Sequence, residues 1–207
     1  MFKQARLVKT LTFIFFAVLL NVGSVLADIG PQELVKQTTE EMFSALKENR
    51  EKINKNQDVI YDLVGKIVLP HFDFISMSKW VLGKYWNTST RSQKIAFIKA
   101  YRELMVRTYS IALLEYVDSK ITYKPLREEE SSGDVTVRSQ VKSSKGELVA
   151  ANYSLHKKKK GWKVYDIAVE GVSLIANNKT SFASEIKAQG LDALITRLQK
   201  HNKEKGK

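Results

Sequence analysis

Cysteine is absent from the 207 residues, and proline and histidine occur only three times each. The lack of cysteine excludes a disulfide framework, a cysteine-based zinc or iron–sulfur site, a thiol nucleophile and a lipid-modified N-terminal cysteine. With only ten glycines, the chain has no glycine-rich phosphate loop, and its histidines and carboxylates show no metal-site spacing. These absences disfavour a metalloprotein or an enzyme of a common class, and we expect no cofactor.

The composition is that of one folded domain with a basic surface. Hydrophobic residues make up 43% of the chain and charged residues 27%, and 34 Lys and Arg against 22 Asp and Glu give a net charge of +12. In a cytoplasmic protein such a charge would suggest nucleic acid, whereas an exported basic protein more often meets membranes, envelope polymers or acidic proteins.

The N-terminus has the pattern of a secretory signal. Lys3, Arg6 and Lys9 precede an apolar run, Leu11–Leu20, and small residues follow at positions 25–27. This pattern predicts a cleaved signal peptide at residues 1–27 and a single mature domain at residues 28–207. The alternative is an uncleaved anchor, although the apolar run is shorter than the roughly 20 residues of a membrane span. We therefore expect a periplasmic protein that does not bind nucleic acid.

The mature chain predicts helices, then an antiparallel meander, then helices again. Helices are expected to begin at Pro31, at Asp58 and Asp73 as caps, and at Arg91 after a capping box, the last helix reaching about Tyr116. Residues 48–56 are predicted as a connection. Alternating apolar residues predict four strands, Ile121–Tyr123, Asp134–Val141, Glu147–His156 and Trp162–Val169, the last two joined as a hairpin.

Candidate catalytic groups are few. His71 and Asp73 lie close to Ser76 and Ser78, so a Ser/His/Asp hydrolase is one interpretation. The simpler interpretation is that Asp73 caps a helix, because no nucleophile-elbow motif accompanies these residues. Two charge runs remain. Glu128–Glu130 is predicted as a solvated loop. Lys157–Lys160, at the hairpin tip, is either solvated or a docking surface for an acidic partner or an anionic membrane.

Large apolar side chains are the stronger signal. They either fill a core, as in a structural or adaptor protein, or line a cavity between one concave face of the sheet and the helices from Trp80 to Tyr109. Alternation predicts that Tyr165, Ile167 and Val169 share the inner face of the fourth strand. Together with the missing catalytic groups, this favours a binder of hydrophobic molecules.

Three segments carry a resemblance to a known family. Val81–Trp86 (VLGKYW), followed by Thr90, Gln93, Phe97 and Tyr101, resembles the V-L-G-x-x-W…T…Q…F…F/Y pattern of the MlaC or toluene-tolerance family. Leu69–Phe74 resembles the stretch before that pattern. Residues 162–167 (WKVYDI) with 170–173 (EGVS) are similar to the family's W-x-V-Y-D…E-G-V-S segment.

The resemblance implies a periplasmic, non-enzymatic carrier of glycerophospholipid that maintains outer-membrane lipid asymmetry. Its partners would be an inner-membrane ABC transporter with an MCE subunit and an outer-membrane lipoprotein–porin complex. The implied fold is α+β, with a strongly twisted antiparallel sheet of about four strands, related to NTF2-like domains and wrapped by helices around a hydrophobic pocket. We expect a monomer, with a hydrolase or a hopanoid-type lipid binder as alternatives. The predicted lipid-binding residues are Trp80, Val81, Leu82, Tyr85, Trp86, Phe97, Tyr101, Met105, Tyr109, Val137, Val149, Ala151, Tyr153, Tyr165, Ile167, Val169 and Val172.

Overall fold

The computed structural model describes residues 29–142 and 146–204. Six helices precede the sheet and two follow it, so the α+β class predicted from the sequence is confirmed. The helices are α1 (Pro31–Glu48), α2 (Arg50–Lys55), α3 (Asp58–Ile67), α4 (Phe74–Leu82), α5 (Lys84–Thr88), α6 (Arg91–Tyr109), α7 (Leu174–Gln189) and α8 (Leu191–Glu204). The predicted signal peptide lies outside the described residues.

The sheet is an antiparallel meander of five strands in chain order. Its strands are β1 (Lys120–Tyr123), β2 (Asp134–Lys142), β3 (Leu148–Lys158), β4 (Gly161–Val169) and β5 (Val172–Ser173). The sequence predicted the first four. The fifth was missed because two residues are too few to show an alternating pattern.

A register shift between β3 and β4 corrects one prediction about the sheet faces. Leu155 pairs with Val164 and Ser154 with Asp166, so Tyr165 has no partner on β3. This bulge reverses the alternation, and Tyr165 therefore lies on the opposite face from Ile167 and Val169. The prediction that these three side chains share a face is wrong.

Several helix boundaries also differ from the prediction. The segment expected as a connection contains α2, and Asp58 begins α3 rather than capping it, its N–H being bonded to the side chain of Asn56. The long helix ends at Tyr109 and continues as a 3₁₀ segment, Ile111–Tyr116. This tighter segment carries Leu113 and Leu114, which pack against the helices of the N-terminal half.

Buried apolar side chains form three clusters. The first cluster lies among α4, α6, α7 and α8, the second between α1 and one face of the sheet, and the third among α1, α2, α3 and Val117. The first cluster includes Val81, Leu82, Phe97, Tyr101, Phe182 and Leu198. The second cluster includes Val35, Val137, Leu155, Trp162 and Val164. The third cluster includes Met42, Leu46, Ile53 and Ile60.

Candidate functional site

A cleft of about 620 Å³ opens where α3, α4, α6 and the β3–β4 hairpin come together. Its apolar wall comes from the turn between α3 and α4 and from the facing side of α6, and Phe72 and Phe74 stack there with ring centroids 5.9 Å apart. The apolar lining residues are Leu69, Pro70, Phe72, Phe74, Ile75 and Ile98. A cleft of this volume and lining can hold the apolar part of a small ligand.

The rim of this cleft is cationic. The hairpin contributes Lys158, Lys159, Lys160 and Lys163, and α6 contributes Arg102. Asp73 is the carboxylate among the lining residues, and Lys163 is held in place by donating to the carbonyl oxygen of Pro70. The cleft therefore combines an apolar wall with an excess of positive charge at its mouth.

A smaller groove of about 310 Å³ continues from the cleft between α3 and α6. The two share Gly65, Leu69 and Arg102. Among the groove residues, the guanidinium of Arg107 lies 5.0 Å from the centre of the Tyr61 ring and donates to Glu103 at 3.1 Å. The groove thus extends the cationic surface along α6.

The floor of the cleft lies where the three clusters meet. Phe72 packs against both the first and the second cluster, Phe74 against the first and Leu69 against the third. The cleft wall is therefore shared by side chains that belong to different clusters.

Asp73 organises one wall of the cleft. It caps α4 by accepting from the backbone N–H of Ser76 at 2.9 Å and from its hydroxyl at 2.8 Å. Its Oδ2 also lies 3.0 Å from Nε2 of His156 and 3.0 Å from the ammonium of Lys158. Burial alone would raise the pKa of Asp73, but the hydrogen bonds from Ser76 and Lys158 and the Lys158 charge outweigh it and lower the pKa to about 2.

The same contacts bear on the hydrolase interpretation. Asp73 bonds His156 rather than His71, and Ser76 donates to Asp73. The buried hydroxyl of Ser78 has no hydrogen-bond partner among the described residues. Burial, followed by the charge of Lys163, lowers the pKa of His71. Within the described part of the chain, no serine is hydrogen-bonded to a histidine here, so the nucleophile–base pair that this chemistry needs is not assembled.

Most of the predicted residues on helices lie in the first cluster. Val81, Leu82, Phe97, Tyr101 and Met105 are buried there, and Tyr85 and Trp86 pack half-buried against them. The phenol of Tyr101 accepts from the side chain of Asn178 at 3.1 Å, and burial raises its pKa.

Two of the predicted helix residues lie at the surface. Trp80 is 58% exposed and Tyr109 is also exposed. The ring of Trp80 stacks on Tyr165, with centroids 6.0 Å apart, and Tyr165 in turn contacts the ring of His156 at 5.0 Å.

The predicted strand residues, apart from Tyr165, form rows on one face of the sheet. Val137 stands opposite Tyr153, which stands opposite Ile167. The next row is Ala151, Val169 and Val172, and Val149 follows at the end of β3. Val137 and Ala151 are buried, Val149, Tyr153 and Ile167 are half-buried, and Val169 and Val172 are exposed. Burial raises the pKa of the Tyr153 phenol to about 12.

The cleft and the predicted lipid-binding set do not coincide. None of the seventeen predicted residues lines the cleft or the groove; instead they occupy the first cluster, the sheet face and two surface positions. The sheet face of Val137, Tyr153 and Ile167 packs with α1 in the second cluster, so the prediction that the helices from Trp80 to Tyr109 close over it is wrong. Two signals in the sequence point to the cleft: the lysine run at residues 157–160 and the segment Leu69–Phe74. Their proximity could not be predicted, because about 85 residues separate them along the chain.

Fold and site together define an α+β protein with an apolar, basic-rimmed cleft. The family model of the MlaC protein matches residues 36–200, so the chain belongs to the MlaC family. Among the described residues, no helix is long and apolar enough to cross a membrane.

The relatives are named for phospholipid transport and toluene tolerance. The chain is 28% identical to the intermembrane phospholipid transport system binding protein MlaC of Haemophilus influenzae over 194 residues, which cover 91% of this chain and 89% of that protein. It is also 28% identical to the toluene tolerance protein ttg2D of Pseudomonas putida, over 78% of this chain and 75% of that one.

A solved structure extends the likeness to three dimensions. The phospholipid-binding protein from Ralstonia solanacearum, determined in complex with a phospholipid, superimposes with a TM-score of 0.79 at 31% sequence identity. The match covers 87% of this chain and all of that one. The likeness in fold therefore extends over most of the chain.

Proposed function

We propose that this protein is a periplasmic carrier that binds glycerophospholipid and moves it between the two membranes of a Gram-negative envelope. The observation that carries the proposal is the fold likeness, at 31% identity, to a protein whose structure contains a phospholipid. Family membership over residues 36–200 supports the same function. The proposed role of such transfer is to maintain the lipid asymmetry of the outer membrane.

The energetics of lipid transfer require such a carrier. Two acyl chains of sixteen carbons bury on the order of 30 carbons, which at about 0.8 kcal/mol per methylene corresponds to roughly 20–25 kcal/mol against water. Release of free lipid into the periplasm is therefore negligible. Because a bilayer offers the same burial, exchange between bilayer and protein can be nearly balanced, and neither a nucleotide nor a metal is needed on the carrier.

The proposed acyl-chain site is the apolar face of the sheet together with α1, whose Val35 packs in the second cluster. Val149, Tyr153 and Ile167 are half-buried on that face, so part of each side chain remains accessible to a ligand. Phe72 packs against both the first and the second cluster and lines the cleft, which supports a route between this face and the cleft. The predicted set from Trp80 to Val172 stays a prediction for the residues that contact lipid.

The partners and the location belong to the same proposal. A carrier of this kind would dock on an inner-membrane ABC transporter with an MCE subunit and on an outer-membrane lipoprotein–porin complex. We propose that residues 1–27 are removed on export and that the mature protein, beginning at Asp28, acts as a monomer. Intact-mass measurement of a periplasmic extract tests the cleavage; recovery of the full-length chain in the membrane fraction would contradict it.

Native mass spectrometry of the purified protein tests the lipid-binding function. The expected result is a protein–lipid complex that releases intact glycerophospholipid on extraction. A protein without lipid, which also takes up none from vesicles, would contradict the carrier and support a filled structural core. Release of fatty acid or lysophospholipid during incubation would support a hydrolase instead, and a polycyclic lipid would support a hopanoid-type binder.

A further inference from the structure

We infer that the mouth of the cleft is an adsorption surface for anionic phospholipid bilayers, which brings the carrier directly onto a membrane. This inference rests on the proposed function and adds a second kind of partner, the lipid surface itself. It begins from the charge at the cleft mouth, where five cationic side chains and one carboxylate line the opening.

Four of these five cations are lysines of the β3–β4 hairpin. Lys158 is paired with Asp73, whereas Lys159 and Lys160 are exposed at the hairpin tip and have no ion-pair partner among the described residues. Their ammonium groups are free to meet phosphate groups. A cluster of lysines near an anionic bilayer is attracted by the surface potential and remains effective within a Debye length.

Exposed isoleucines adjoin this charge. Ile75 lines the cleft and is 62% exposed, and Ile95 on α6, which is 59% exposed, lies one turn before the cleft residue Ile98. Leaving such side chains in water has a cost, which insertion at the boundary between headgroups and acyl chains removes. The combination of an apolar surface with adjacent lysines is typical of interfacial membrane binding.

The same composition disfavours a protein as the occupant. Lysine is depleted in protein–protein interfaces, whereas arginine and exposed aromatic residues are enriched. Four of the five cations at the cleft mouth are lysines, and the aromatic side chains there, Phe72 and Phe74, are in the wall and pack against the buried clusters. A lysine ammonium is a point charge without a fixed hydrogen-bonding geometry, and clusters of lysines are attracted to anionic lipid surfaces.

Vesicle co-flotation of the mature, lipid-loaded protein tests the inference. We expect binding to vesicles that contain an anionic phospholipid, little binding to purely zwitterionic vesicles, and a decrease with added salt. The double variant Lys159→Gln with Lys160→Gln should bind anionic vesicles about 25-fold more weakly, since each lysine near the surface contributes about fivefold. The matched control is Lys52→Gln with Lys55→Gln, which removes two exposed lysines of α2 away from the cleft and should change binding less than about twofold.

A second pair of variants tests the apolar contribution. Ile75→Ser should weaken vesicle binding several-fold, and the loss should persist in about 0.5 M NaCl, where charge attraction is screened. Leu148→Ser is the control, because Leu148 is equally exposed, at 62%, but does not line the cleft.

The outcome separates this inference from the proposed function, because bound phospholipid is quantified in the same samples. Protein that carries lipid but does not bind anionic vesicles would overturn the inference and leave the carrier function intact. Equal binding to neutral and anionic vesicles, or equal binding by the lysine double variant and its control, would also overturn it. The absence of vesicle binding together with binding to an acidic protein would assign the lysines to a protein interface.

Discussion

The carboxylate of Asp73 lies 3.0 Å from Nε2 of His156, although 83 residues separate the two along the chain. Asp73 caps the first turn of α4, and His156 is near the end of β3, so the contact ties a helix start to the sheet. Lys158 approaches the same carboxylate oxygen at 3.0 Å. One side chain thus joins the apolar wall of the cleft to its cationic rim.

Replacing Asp73 with Asn should lower the free energy of unfolding by about 1–3 kcal/mol near neutral pH, because charge-assisted hydrogen bonds to Lys158 and Ser76 are lost. The pKa of Asp73 in the folded protein, about 2, is below its unfolded value. Its stabilising contribution is therefore present above about pH 4 and is lost as the pH falls towards 2. Urea unfolding should show the difference between wild type and variant shrinking over that range.

The control for this measurement is Asp62→Asn, on the exposed side of α3. It should change the unfolding free energy by less than about 0.5 kcal/mol at every pH. A difference between wild type and Asp73→Asn that stays constant from neutral pH to pH 2 would show that the carboxylate charge contributes nothing.

Adding bulk to the half-buried face of the sheet should displace lipid while leaving the protein folded. Val149→Trp and Ile167→Trp are expected to reduce co-purified phospholipid per folded molecule, because a ligand leaves more readily than packed side chains move. Overpacking of a filled core costs about 1–3 kcal/mol instead. Lipid extraction and thermal unfolding on the same preparation measure both effects.

Val164→Trp is the matched control, because Val164 lies on the same face but is buried in the second cluster. It should destabilise the protein more than either test variant. If Val149→Trp and Ile167→Trp unfold like this control and the lipid content per folded molecule is unchanged, that face is core and the lipid site lies elsewhere.

Two neighbouring residues of α6 should differ sharply in their effect on stability. Phe97 is fully buried, with its ring 5.6 Å from Tyr101 and 6.1 Å from Phe182, whereas Ile95 is exposed. Phe97→Ala should cost about 3–5 kcal/mol and Ile95→Ala less than about 0.5 kcal/mol. Denaturant unfolding compares them, and similar losses would mean that the orientation of α6 is different.

The capping box of α6 can be tested at Thr90. Its hydroxyl accepts from the N–H of Gln93, and the Gln93 side chain accepts from the N–H of Thr90. Thr90→Ala should lower stability by about 0.5–2 kcal/mol, and Thr90→Ser should restore most of it, because serine presents the same oxygen. Equal stability of the Ala and Ser variants would show that the hydroxyl is not needed.

Helices and strands whose signals lie within a few neighbouring residues could be predicted from the sequence. Asp73 caps α4, Thr90 and Gln93 form the capping box of α6, and the first four strands lie where alternating residues predicted them. Each of these signals depends on hydrogen bonds or side-chain direction within a few residues. The family motif from Val81 to Tyr101 likewise identified the family before any coordinates.

The bulge at Tyr165 depended on tertiary structure. Alternation in the sequence continues through Ile167 and Val169, but the pairing with β3 shifts between Ser154 and Leu155. The shift places Tyr165 against Trp80 and His156, which belong to other elements. Strand register is a property of two chain segments, so the pattern of one strand could not show it.

What the sequence by itself determined is the fold class, the family and the excess of basic over acidic residues. The cleft was decided only by tertiary structure, because its wall comes from residues near Leu69 and Ile98 and its rim from the lysines after His156. Burial of the three clusters brings these segments together. The free energy of that burial depends on the apolar area removed from water and has no preferred direction, so the sequence does not show which segments will meet. A sequence pattern records which side chains are apolar or charged, whereas the fold decides which of them meet.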